Sequence, residues 1–262
     1  MASPYTAAGP QTTLDPRAGK RVLITGGASG LGAAVARAVA EAGGRPAILD
    51  VDLAGLGRDG SGRAGQDTAG EDRTAVAPAY QADVTDRAAV ERAVEAAAQA
   101  LGGLDAVVTA AGIDRCGRLD EVPADAWERV VAVNLLGTVS TVRAALPHLL
   151  ASHGRVVTIA STLALRGVSD ATAYCASKFG VVGFSRALAA ETAGKVGVTT
   201  VVPGGMDTRF FDGRSAQYRP ADNSRLNDPA NVARAILFAL SQPEGCEVRE
   251  LLICHEAEDS WP

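Results

Sequence analysis

The sequence predicts an α/β domain: a doubly wound parallel sheet with helices on both faces. Three observations predict it. Short, continuously apolar runs recur along the chain, helix-length stretches separate them, and a glycine-rich turn directly follows the first run. Strands that are apolar along their whole length need both faces of their sheet covered, which calls for parallel order and crossover helices. The length of 262 residues suits one such domain. No internal repeat or second-domain boundary interrupts it. Residues 1–19, with Ser3, Pro4, Gly9, Pro10 and Pro16, read as a mobile N-terminal tail, and 20–262 as a single domain.

The first strand is Arg21-Val22-Leu23-Ile24-Thr25. An alanine-rich helix over 31–42 follows and stops at Gly43-Gly44. Ala47-Ile48-Leu49 forms the second strand and ends at Asp50. The stretch 55–70 is dense in Gly, Asp and Arg and reads as an exposed insertion. Alternation then resumes: a strand over 75–81, a helix over 87–101 and a buried strand at Ala106-Val107-Val108-Thr109. Two separate helices are expected over 125–133 and 139–150. A strand over 155–160, a helix over 174–192, a strand over 198–202, a helix over 229–240 and a closing strand over 250–254 complete the order.

Composition narrows the function. A net charge of −5 argues against nucleic acid or an anionic membrane as main partner. Cys116, Cys175, Cys246 and Cys254 form no Cys-x-x-Cys pair and no Cys/His cluster, so neither a disulfide framework nor a metal site is expected. The first residues lack the apolar core of a signal peptide, and no apolar run approaches the ~18 residues of a spanning helix. We therefore expect a cytoplasmic protein.

The turn Thr25-Gly26-Gly27-Ala28-Ser29-Gly30-Leu31-Gly32 lies between the first strand and the first helix. Gly26 permits a tight turn, Gly30 lets the backbone approach a pyrophosphate, and Gly32 allows close helix–strand packing. Ser29 and Leu31 lie at the helix N-terminus, which offers N–H donors and a favourable dipole. Asp50 ends the second strand, eighteen residues after Gly32, close to the ~20 expected of a ribose-binding acid. A carboxylate there accepts the ribose hydroxyls and repels a 2′-phosphate, and Ser29 and Val51 offer no cation. NAD(H) is favoured over NADP(H).

Tyr174 and Lys178, four residues apart, share one helical face. A cation near a phenol favours the phenolate and lowers its pKa from about 10 toward a useful acid/base range. Four tyrosines and three lysines would give such a pair by chance in roughly 5% of chains, so context must carry it. Ser161, thirteen residues upstream, and the glycine turn supply that context.

Together these residues resemble the short-chain dehydrogenase/reductase family, in its single-domain branch with a Rossmann fold. The likeness runs from Lys20 to Cys254. Asp83-Val84 is similar to the family's adenine-contacting dipeptide, and Asn134 to its active-site asparagine. Ser161, Tyr174 and Lys178 fall on the catalytic serine, tyrosine and lysine. Pro203-Gly204-Gly205-Met206-Asp207-Thr208 resembles the segment beside nicotinamide, with Thr208 on the carboxamide. Two departures stand out. Thr109-Ala110-Ala111-Gly112 replaces the usual Asn-Asn-Ala-Gly, with Gly112 still allowing close approach to the cofactor, and Ala160 replaces the first of a serine pair.

The resemblance implies hydride transfer between NAD(H) and a secondary alcohol or ketone. It casts Tyr174 as acid/base, Lys178 as the group that lowers its pKa and binds the nicotinamide ribose, and Ser161 as the hydrogen-bonding partner of the substrate oxygen. Asn134 would hold a water for proton relay. Rival readings are an isomerase or dehydratase acting by transient oxidation with retained NAD, and a non-catalytic dinucleotide sensor. The substrate side should come from residues 113–119, 163–170 and 206–226. Arg209, Arg214, Arg219 and Arg225 there read as a solvated mobile lid, with attraction of an anionic substrate as the alternative. The helices over 139–150 and 181–193 are apolar on more than one side, which with the resemblance suggests a homotetramer. Trp261 is then expected to pack on a neighbouring subunit.

Overall fold

The structure is a computed structural model describing residues 19–56 and 77–258. The expectations for residues 1–18, for 57–70 of the insertion and for Trp261 lie outside the described residues. Element order is β1 (Arg21–Thr25), α1 (Gly30–Glu41), β2 (Arg45–Asp50), β3 (Ala79–Gln81), α2 (Arg87–Leu101), β4 (Ala106–Thr109) and α3 (Ala124–Val131). There follow α4 (Gly137–Ala151), β5 (Arg155–Ile159), α5 (Thr172–Glu191), β6 (Gly197–Pro203), α6 (Pro229–Leu240) and β7 (Glu250–Ile253).

Among the described residues the strands form one seven-stranded sheet in the order β3-β2-β1-β4-β5-β6-β7, with every pairing parallel. The order reverses between β1 and β4, and that switch opens a crevice at the carboxyl ends of the strands. Successive side chains of each strand go to opposite faces. Leu23 and Val107 join a core with α2, α4 and α5, while Val22, Ile24 and Val108 join a second with α1 and α6. This two-sided burial is why the strands read as unbroken apolar runs.

Two expectations change. The helices expected over 125–133 and 139–150 are one continuous helical stretch, because a π-helical turn at Ala132–Leu136 joins α3 to α4. The expectation that no segment approaches membrane-spanning length changes with it. The 28 residues Ala124–Ala151 are long and apolar enough by length and composition, with mean hydropathy 1.4 over the best window. Val142, Ala145 and Leu149 of α4 lie in the core beside α2 and the sheet, which accounts for that apolarity. Within the described residues, the strand expected over 75–81 is confined to Ala79–Gln81.

Candidate active site

Asp50, Gly26, Ser29, Gly30 and Leu31 line one end of a cleft of about 670 Å³, and Ser161, Tyr174 and Lys178 line the other. Asp83, Val84, Gly112, Pro203, Gly204 and Thr208 lie along its walls. Gly32 and Asn134 do not border it and act from behind.

Close packing explains the glycines. Gly26 has φ +68°, and a Cβ there would lie 2.8 Å from the Ala111 backbone. A Cβ on Gly32 would meet the Gly26 carbonyl at 2.1 Å, so only glycine lets α1 rest on the turn. Ala111 N donates to Thr25 Oγ1 at 3.3 Å, which ties the end of β4 to β1. Thr25 thus supplies a tie where the family's missing asparagine left a question.

The residues fit a dinucleotide. The first turn of α1 carries no acidic side chain, and Ser29 makes no capping bond to it, so its N–H donors face the cleft unclaimed by side chains. Asp50 is held rigidly: its Oδ2 accepts from Ala28 N at 3.0 Å and its Oδ1 from Asp52 N at 3.2 Å. Val51 beside it is exposed and offers no cation. Gly112 approaches Asn134 Oδ1 and Lys178 Nζ with room for only a methyl group.

At the expected adenine wall the carboxylate of Asp83 is committed to protein partners. Its Oδ1 accepts from Thr85 N and Oγ1, and Arg129 Nη2 donates to its Oδ2 at 2.6 Å. Burial alone would raise its pKa, but the bonds from Arg129 and Thr85 outweigh that and hold it below the usual carboxylate range. Sequence reasoning missed Arg129, whose reach across 46 residues leaves no local signal.

Asn134 is buried in the π-helical turn. Its Oδ1 accepts from Ile113 N at 2.8 Å, and its Nδ2 donates to Ile113 O at 2.9 Å and Ser177 Oγ at 3.0 Å. The widened turn presents the amide to the chain leaving β4 like a short piece of strand. The side chain thus ties the chain leaving β4 to α5 through Ile113 and Ser177. Ser177 was not foreseen.

Lys178 is buried, and its Nζ donates to Ile159 O at 2.8 Å while lying 5.6 Å from the Tyr174 ring centroid. Burial lowers its pKa to about 8, against a smaller raising influence from Asp114. Tyr174 is pushed up to about 12 by burial, which outweighs the lowering influence of the Ser161 hydroxyl facing it. The expectation that Lys178 tunes the phenol downward is thus corrected. The ammonium is anchored on a carbonyl, and desolvation is the larger effect on both groups.

On the substrate side, segment 206–226 folds into three short 3₁₀ turns with no buried residue, and Arg209, Arg219 and Arg225 are exposed as a solvated lid requires, while Arg214 departs from that reading. Arg214 Nη2 donates to Asp114 Oδ2 at 2.6 Å, with side-chain exposures of only 18% and 4%. Its guanidinium lies 5.0 Å from the Phe210 ring centroid and 4.6 Å from that of Phe211. Phe210 in turn lies 5.8 Å from Tyr174, ring to ring.

A switch-point crevice with a glycine cradle, buried Ser161 and Lys178, and a half-buried Tyr174 defines a dinucleotide-dependent enzyme of the doubly wound class. The family model for short chain dehydrogenase matches residues 20–219. An uncharacterised oxidoreductase of Staphylococcus aureus is 34% identical over 237 residues, covering 89% of this chain and 96% of that protein. A 2-(S)-hydroxypropyl-CoM dehydrogenase of Xanthobacter autotrophicus is 34% identical over 236 residues, covering 84% and 89%. An alcohol dehydrogenase from Thermococcus sibiricus, solved with 5-hydroxy-NADP, superposes with a TM-score of 0.77 at 23% identity over 92% of this chain and 98% of that one, a likeness of fold. The chain belongs to the short-chain dehydrogenase family, oxidoreductases that use a nicotinamide dinucleotide.

Proposed function

We propose that this protein transfers a hydride between NAD(H) and a secondary alcohol or ketone, with Tyr174 as acid/base. The observation that carries the reading is the convergence of Ser161, Tyr174 and Lys178 at one end of the cleft whose other end holds Asp50 and the glycine turn. When bound, the nicotinamide supplies the hydride acceptor or donor. In oxidation the Tyr174 phenolate takes the hydroxyl proton as hydride leaves the carbinol carbon, and in reduction the phenol returns a proton to the oxygen. Ser161 donates to the substrate oxygen and stabilises its developing charge. Lys178, cationic near neutral pH, binds the nicotinamide ribose. Thr208 serves the carboxamide, and Asp50 holds the adenosine ribose and repels a 2′-phosphate.

With the phenol at about 12, oxidation gains from alkaline pH and reduction from a lower one. The protein works as a cytoplasmic homotetramer in this reading. Leu136 and Phe179 stay 56% and 46% exposed on neighbouring helices, as an apolar intersubunit face requires. The deciding assay runs a panel of secondary alcohols with NAD⁺ and NADP⁺ in parallel. Net NADH formation with some member, and little NADPH, supports the reading. Cofactor retained through purification without net reduction would favour an isomerase or dehydratase instead.

A further inference from the structure

Arg214 is not free to meet a substrate anion. Its Nη2 is spent on Asp114, and Nη1 donates to Tyr218 O at 3.3 Å. Its Nε is buried with no hydrogen-bond acceptor among the described residues, and both phenylalanine rings stack on the guanidinium. Asp114 is equally committed: Oδ1 accepts from Arg115 N, and Oδ2 accepts from Cys116 Sγ as well as Arg214. A half-buried guanidinium whose buried Nε is left with an unmade hydrogen bond is held by its ion pair and its aromatic stack. Both ends of this contact matter. Asp114 follows β4, on the rigid wall of the cleft, whereas Arg214 and the rings belong to the segment after β6.

We propose that Arg214 is a positioning residue: through Asp114 and the two phenylalanines it clamps segment 206–226 over the site and sets Phe210 against Tyr174. The pair is internally neutral, so the wall it builds suits an uncharged, apolar substituent on the carbinol rather than an anion. The inference rests on the dehydrogenase reading, but the clamp itself does not need turnover to be seen.

The pair also brackets the phenol electrically. The groups that bear on Tyr174 are Asp114 from the β4 side, Arg214 from the β6 side, and Cys175 and Lys178 from its own helix, with the uncharged Ser161 hydroxyl opposite. The Asp114 carboxylate raises the phenol and the Arg214 guanidinium lowers it. Losing one partner exposes the other.

The test uses Arg214→Met, Asp114→Asn, the double variant and Arg214→Lys in the full chain. Turnover by the wild type checks the underlying reading, and the variants then check the clamp. Arg214→Met should raise KM for an apolar alcohol about tenfold and move the rise of kcat/KM to higher pH. Asp114→Asn should move it to lower pH, and the double variant should return it toward wild type. Arg214→Lys should keep the wild-type pH profile while keeping the raised KM, because it restores the charge and not the planar stack. Limited trypsin digestion at Arg209 and Arg225 reads the clamp without substrate, and should run several-fold faster in Arg214→Met. Shifts of the same sign in the two single variants, or unchanged digestion, would overturn the proposal. Should Arg214→Met not fold, Asp114→Asn and Arg214→Lys decide the matter alone.

Discussion

The two ends of the cleft are built from different materials. The phosphate-binding part of the cofactor end is made by backbone: Gly26 and Gly32 in contact with main-chain atoms, the unclaimed N–H groups of α1, and strand ends fixed by sheet pairing. The substrate end is made by side chains that meet across long separations, with Asp114 and Arg214 a hundred residues apart. Backbone-built parts tolerate almost no change of shape, because a carbonyl cannot swing aside as a side chain can. Side-chain-built parts can be rebuilt around a new substrate while the rest stays fixed.

That contrast can be broken most sharply at Gly32. A Cβ 2.1 Å from the Gly26 carbonyl forces the turn open, so Gly32→Ala should cut NADH affinity more than about a hundredfold, measured by fluorescence titration. Gly112→Ala, whose nearest contact would be 3.4 Å, should fold normally by comparison.

Next in size is the pH dependence of stability contributed by Lys178. Its folded pKa of about 8 lies below its ordinary 10.5. Between these values the unfolded chain holds more protons than the folded one, so stability rises with pH through that window. Relative to Lys178→Met, the wild type should gain on the order of 2–3 kcal/mol from pH 8 toward 10.5 in urea unfolding. Tyr174, shifted the other way, opposes this only above its ordinary value of 10. An advantage that shrinks over the lower part of that window would contradict the burial argument.

Asp50→Asn should lower the preference for NAD⁺ over NADP⁺ about tenfold, read as a ratio of kcat/KM values, because one repulsive carboxylate is lost without a cation being gained. Thr25→Val should be mildest, at about 1 kcal/mol of stability for the bond to Ala111 N.

The same contrast decides what could be read from the sequence. The parallel sheet, the glycine turn, Asp50 and the Ser161–Tyr174–Lys178 group were legible because each depends on local spacing or on unbroken apolar runs. The π-helical join between α3 and α4 was not, since Asn134 and Gly137 are poor helix formers that suit a break between two helices, and only the fold shows the chain staying helical through them. Arg129 on Asp83, Ser177 behind Asn134, and Arg214 on Asp114 were hidden because partners brought together by tertiary folding leave no periodic trace. The direction of the Tyr174 shift failed for another reason. Helical spacing showed that a cation stood near, and only the fold shows that burial outweighs it.

The most direct test of the central claim is steady-state turnover of Tyr174→Phe beside NADH binding to the same protein. The account predicts a loss in kcat of roughly 10²–10⁴-fold, with NADH affinity kept within about threefold, because the phenol moves the proton and the backbone-built end holds the cofactor. Near-wild-type turnover in the phenylalanine variant would contradict it.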